Sequence, residues 1–170
     1  MSDLTAPPTE LPSLIELANG IALQLRKRGD TVAVVESSSG GLISAALLAV
    51  PGASAYFLVG AVVYTKRARK ALLGMTDAET TGLQAETETY ARFIGARVRE
   101  MHDATWGLGE SGAAGPSGSR YGDAPGHVAI AVVGSTVRTR VIETGKADRL
   151  LNMDLFARQV LWLFGELLRS

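Results

Sequence analysis

Along the chain, stretches with a helical apolar period alternate with short runs that are apolar on both faces. From Leu11 to Arg28, the residues Leu14, Ile15, Leu17, Ala18, Ile21, Ala22 and Leu25 share one helical face, and Gly29 follows as a C-cap, which predicts a helix. Thr31 to Val35 is short and β-branched, the pattern of a buried parallel strand. A Ser/Gly turn, "ESSSGG" at 36–41, leads into a predicted helix over Leu42–Val50, stopped by Pro51-Gly52. "GAVVYT" at 60–65 predicts a second strand, and the basic segment Lys66–Leu73 a short helix. Glu86–Ala104 is the next predicted helix, with Tyr90, Phe93, Ile94, Ala96, Val98 and Met101 facing inward. "TWGLGE" at 105–110 is a poor strand by propensity, yet it occupies a place where the alternation needs one. His127–Val133 and Val137–Glu143 are predicted strands joined at Gly134-Ser135, a hairpin signal, and Asp148–Leu168 is a long amphipathic helix.

Strands alternating with helices, plus one hairpin, predict an α/β domain with a mixed sheet. The 170 residues suit one well-buried core, and no repeat or linker divides them. The polar, proline-rich residues 1–10 are expected to form a disordered lead-in to a single domain over 11–170. Seventeen basic and seventeen acidic residues leave no net charge, which argues against nucleic-acid or membrane-surface partners. The absence of cysteine excludes thiolate metal sites and a cysteine nucleophile, and two histidines are too few for a histidine-rich metal site. No apolar run approaches a membrane span and no signal peptide is recognisable, so a cytoplasmic location is expected.

Candidate chemistry gathers in two glycine-rich loops, each after a predicted strand: "ESSSGG" and "ESGAAGPSGSRYGDAPG" at 110–126. In α/β sheets, ligands bind beyond the carboxyl ends of strands, where such loops collect. The first loop reads equally as a turn with Ser39 as N-cap, or as an anion site built on backbone N–H groups. It is neither a P-loop, nor a dinucleotide fingerprint, nor a G-x-S-x-G elbow. In the second loop Arg120 suits a carboxylate or phosphate, against the alternative of a solvated surface loop. His127 reads as a structural or rim residue, His102 as an exposed one, and "TKRARK" at 65–70 as a solvated helix face after Tyr64.

The stretch "VAVVESSSGGLISAALLAVPGASAYFLVGAVVYT" resembles the signature of the CinA C-terminal domain family, A-E-S-C-T-G-G-L followed by V-P-G-[SA]-S-[AR]-Y-F and G-x-V-x-Y. "SGAAGPSG" at 111–118 is similar to that family's [ST]-G-I-A-G-P-x-G loop. The likeness runs from about Leu14 to the last helix. It implies a single-domain three-layer α/β/α fold with a mixed, mostly parallel sheet, in the family's stand-alone form. Several members deamidate nicotinamide mononucleotide (NMN) to nicotinate mononucleotide and ammonia without a metal.

The resemblance therefore implies an amidohydrolase with no cofactor, acting on a small nucleotide, with Ser37 at the nucleophile position. Tyr64 with Lys66 or Lys70 is expected to handle its proton. Glu36, Ser39, Gly40, Gly41, Ser111, Gly112, Ala114, Gly115 and Arg120 are the expected substrate-binding residues. Two positions depart from the family's Y-[ST]-N-x-x-K: Lys66 replaces the Asn, and Arg69, which stays protonated, replaces the Lys. "SRYGD" at 119–123 also departs from the usual G-G-[ST]-x-x-K-P-V-G. The alternative is a catalytically silent nucleotide-binding module of the same fold. A plain dinucleotide-binding domain is disfavoured because its fingerprint is missing. Apolar helices at both ends favour a homo-oligomer.

Overall fold

The computed structural model describes residues 10–170. The expected lead-in, apart from Glu10, lies outside the described residues. Helix α1 (Leu14–Arg28) begins at a capping box between Ser13 and Glu16 and ends at Gly29, whose φ of 70° lets the chain leave in the left-handed conformation. Strand β1 (Val32–Glu36) is buried along its whole length, as a strand covered on both faces must be. Helix α2 (Leu42–Leu48) follows, then strand β2 (Phe57–Val62), three residues earlier than the pattern predicted. Tyr56, which precedes β2, is fully buried and donates to the Leu47 carbonyl at 2.6 Å.

Helices α3 (Lys66–Leu73), α4 (Asp77–Thr80) and α5 (Glu88–Met101) lead to strand β3 (Trp106–Ala113). A hairpin of β4 (His127–Val133) and β5 (Val137–Glu143) and helix α6 (Arg149–Arg169) complete the domain. The sheet order is β2-β1-β3-β4-β5. The first three strands are mutually parallel and β4 runs against both neighbours, so four of five strands share one direction.

Two layers of helix cover the sheet. Helices α1, α2 and α6 pack on the face carrying Val34, Leu108, Val128 and Ile130, whereas α5 covers Ala33, Val35 and Ala129. The weak propensity of "WGLG" has a packing cause. A Cβ at Gly107 or Gly109 would collide with the carbonyls of Gly95 or Ala91, so these glycines let α5 lie against the strand. Strand β3 also runs three residues beyond the predicted Glu110, because Ser111 to Ala113 pair with His127 to Ala129 of β4. Among the described residues, no helix is long and apolar enough to cross a membrane.

Candidate active site

The carboxyl ends of β1, β2 and β3 open at one end of the sheet, where β4 begins. The parallel register pairs Val35 with Gly109, so the next residues, Glu36 and Glu110, are neighbours at that end. Both are fully buried. Glu36 accepts the N–H groups of Gly41, Ile43 and Ser44 at 3.0, 3.1 and 3.0 Å, and the Ser44 hydroxyl at 2.5 Å. It thus caps α2 from beneath, the role the sequence allowed for Ser39; Gly41 occupies the N-cap position with no side chain to offer.

Glu110 accepts the N–H groups of Ser37 and Ser39 at 2.9 and 3.0 Å and the hydroxyl of Ser38. The Ser39 hydroxyl lies 2.8 Å from Glu36 and 2.7 Å from Glu110, one hydroxyl proton facing two carboxyl groups. Burial pushes the Glu110 pKa above the ordinary carboxylate range, against the hydrogen bonds from Ser38, Ser39 and Ser37 that favour the ion. Gly40 and Gly41, at φ 66° and 103°, complete the turn, but Gly40 N–H donates to the Ser37 carbonyl and Gly41 N–H to Glu36. Neither amide is free for a ligand. Within 37–41, the Ser38 N–H is the amide with no such partner.

Above this floor lies a cavity of about 290 Å³. Ser37, 8% exposed, and Tyr64 line it together with Gly112, Ala114, Gly115 and Arg120 of the second loop. Arg69, Arg149 and Glu86 complete its charged lining. Three guanidinium groups face one carboxylate, so the cavity favours an anion. Arg149, the first residue of α6, donates to the Gly115 carbonyl at 2.8 Å and to the Tyr64 hydroxyl at 3.3 Å. Asn152, one turn on and fully buried, donates to the carbonyls of Ala114 and Lys146, both at 2.8 Å, and so ties the second loop to α6. Arg69 donates to the Val63 carbonyl at 3.4 Å and lies over the Tyr90 ring at 5.2 Å.

Glu86, just before α5, is one of two described non-glycine residues with positive φ, at 61°. Its backbone carbonyl accepts from Nε2 of His127 at 2.7 Å, and Nδ1 of the same ring meets the carboxylate of Glu143. A ring with an acceptor on each nitrogen is an imidazolium. Burial works against that charge, but the Glu86 carbonyl, Glu143 and Asp123 outweigh it and hold the His127 pKa above its ordinary value. His127 is thus a structural clamp at the rim, as its sequence position suggested.

The cavity accordingly gathers Ser37, Tyr64, Gly112, Ala114, Gly115 and Arg120 from the predicted set. Glu36 and Ser39 lie beneath the floor, and Ser111 is fully buried within β3 with its hydroxyl unpartnered. Lys66 and Lys70 are exposed and line a neighbouring cleft; Lys70 is paired with Asp77 at 2.6 Å. Helical rotation brings Arg69 inward in their place. Sequence reasoning missed Glu110, Arg149 and Glu86. Glu110 had a signal, a second buried-strand run ending in Glu. Arg149 had one too, since a cation in the first turn of a helix opposes the helix dipole. Nothing local marked Glu86.

Comparison with known proteins completes the picture. The family model described as CinA C-terminal domain matches residues 14–168. A CinA-like protein of Anaeromyxobacter dehalogenans is 36% identical over 134 residues, covering 79% of this chain and 33% of its own length. One of Myxococcus xanthus is 39% identical over 132 residues, covering 74% and 31%. The chain therefore spans about a third of the length of the curated relatives it matches. The crystal structure of a competence-damaged protein (CinA) superfamily protein from Enterobacter cloacae superposes with a TM-score of 0.85 at 27% identity, covering 99% of this chain and 98% of that one.

Proposed function

The chain belongs to the CinA C-terminal domain family, and from that premise we propose that it hydrolyses the carboxamide of a pyridine mononucleotide, NMN first, to the carboxylate and ammonia. The observation that carries this reading is the meeting of Ser37 with three arginines in one small cavity. At about 290 Å³ it lies at the lower end of ligand pockets, roughly 300–1,000 Å³, a size for a mononucleotide and not a dinucleotide. Arg69, Arg120 and Arg149 answer the phosphate charge. Ser37 attacks the carboxamide carbon, and the Ser38 N–H, on the residue after the nucleophile, is oriented by the fixed loop to meet the oxyanion. Tyr64, held by Arg149, borders the same space.

A second reading, a binding module without turnover, is favoured by the position of Lys66 and Lys70 outside the cavity. Ammonia release measured across NMN, nicotinamide riboside and the dinucleotide separates the two. Release from NMN above the others supports the amidohydrolase, and saturable nucleotide binding with no ammonia supports the module.

A further inference from the structure

The cavity contains a carboxylate that the fold itself does not use. Glu86 is held at φ 61°, a conformation that costs a non-glycine residue about 1–3 kcal/mol and that clusters at functional sites. The imidazolium of His127 maintains it through the Glu86 carbonyl, and Glu86 borders the space that Ser37 also lines. Its Oε2 is buried and makes no hydrogen bond. Buried carboxylate oxygens are almost always partnered, so an unpartnered one on a residue that borders the cavity is suited to carry a proton. Among the cavity's other ionisable groups, Arg69, Arg120 and Arg149 cannot accept a proton, and the Tyr64 hydroxyl already accepts a hydrogen bond from Arg149. Lys66 and Lys70 lie outside it.

We propose that Glu86 is the general base that takes the Ser37 proton, a role the strained backbone and the unpartnered oxygen fit and no lysine in the cavity fills. The assignment rests on the amidohydrolase reading for its substrate but not for its chemistry. As Ser37 Oγ bonds to the carboxamide carbon, its proton passes to Glu86, directly or through one water. Collapse of the tetrahedral intermediate breaks the C–N bond, and Glu86 returns the proton to the leaving nitrogen, which departs as ammonia. Water then attacks the acyl ester and gives a proton to Glu86. That proton goes back to Ser37 Oγ as the ester bond breaks, releasing the carboxylic acid, which gives its remaining proton to solvent as the carboxylate product.

The surroundings tune this base. Burial raises its pKa; the charges of Arg69 on α3, Arg120 in the loop and His127 on β4 pull it down, and Asp123 pushes it up. Tyr90 of α5 adjoins it. A base shifted upward from the carboxylate range toward neutrality is a stronger proton acceptor at physiological pH.

The test is the rate at which a biotinylated fluorophosphonate labels Ser37, read against pH in the parent, Ser37→Ala, Glu86→Gln and Glu86→Asp, alongside ammonia release from NMN. Labelling reports nucleophile activation without any assumption about substrate. The parent is expected to be labelled at Ser37, at a rate rising through one ionisation above the ordinary carboxylate range. Glu86→Gln, an isostere expected to melt with the parent, is expected to be labelled at least about 100-fold more slowly and to lose that ionisation, with partial recovery in Glu86→Asp. Labelling of Glu86→Gln at the parental rate, or a parent not labelled at Ser37, overturns the proposal. Glu86-dependent labelling with no ammonia from NMN sustains the base and overturns the substrate reading. Ammonia released equally by Glu86→Gln and the parent does the reverse.

Discussion

On the cavity floor, Glu36 and Glu110 are buried and every oxygen is engaged by a serine hydroxyl or a backbone N–H of 37–44. On the wall, Glu86 is held in a strained backbone with one oxygen buried and unpartnered. The two regions lie within one small site, yet they use the same functional group in opposite ways. The floor spends its carboxylates on geometry: nine hydrogen bonds fix the glycine-rich turn and the start of α2 relative to two strands, so that Ser37 is presented at one place. The wall leaves one carboxylate oxygen without a partner, and among the described residues none of its arginines is paired with a carboxylate, which leaves charge available for recognition and proton transfer. Rigidity at Ser37 and the charge of its surroundings come from separate elements, and substitutions should separate them too.

The largest effect is expected on the floor. Glu110→Ala orphans the N–H groups of Ser37 and Ser39 and the hydroxyl of Ser38, each worth about 1–3 kcal/mol when buried without a partner. A loss of roughly 4 kcal/mol or more in urea unfolding is expected. Glu110→Gln, whose carbonyl can still accept from the two N–H groups while its amide donates to Ser38, should retain the fold. Should Ala and Gln variants unfold at the same urea concentration, the floor is not built on these bonds.

Gly40→Val comes next. A Cβ there would lie 2.6 Å from Cε of Met153 in a backbone with φ 66°, so the turn is strained and the terminal methyl of Met153 must move aside. We expect a loss of about 2 kcal/mol together with a fall in ammonia release far larger than the fall in stability explains. On the wall, Arg149→Met is expected to weaken NMN binding about 10- to 100-fold with unfolding nearly unchanged, because charge-assisted contacts contribute about 1.5–3 kcal/mol. Unaltered binding would show that the phosphate is held elsewhere.

The smallest effect concerns the clamp between the regions. The His127 pKa is raised in the folded state, so its stabilising contribution is complete below the ordinary histidine value of about 6.5 and is lost as pH rises through the higher folded value. The parent's melting temperature should therefore fall by a few degrees more than that of His127→Gln between pH 6 and pH 9. Parallel melting curves across that range would mean the ring is not an imidazolium.

Much of this was legible in the chain because it is local. The Gly29 exit, the hairpin and helix α3 all follow from short-range pattern. The two glycine-rich loops were recognisable as candidate sites, Arg120 from its own loop and Ser37 through the resemblance, and one cavity is lined by both residues. What was hidden depends on partners far along the sequence. Glu110 matters because β3 lies beside β1, 73 residues from the amide it holds. The glycines that made "TWGLGE" a weak strand are there for α5, which no propensity scale includes. Glu86 acquires its backbone from His127, 41 residues later. The lysines were misleading for a simpler reason: on a helix, neighbouring positions point about 100° apart, and Arg69 holds the inward one.

The account's central claim is that the fixed serine cleaves an amide in this charged cavity, and the parent and Ser37→Ala measured side by side for ammonia release from NMN and for NMN affinity test it most directly. The expected result is release by the parent, a loss of at least about 1,000-fold in the variant and affinities within a few fold of each other. Equal release by both proteins would contradict it.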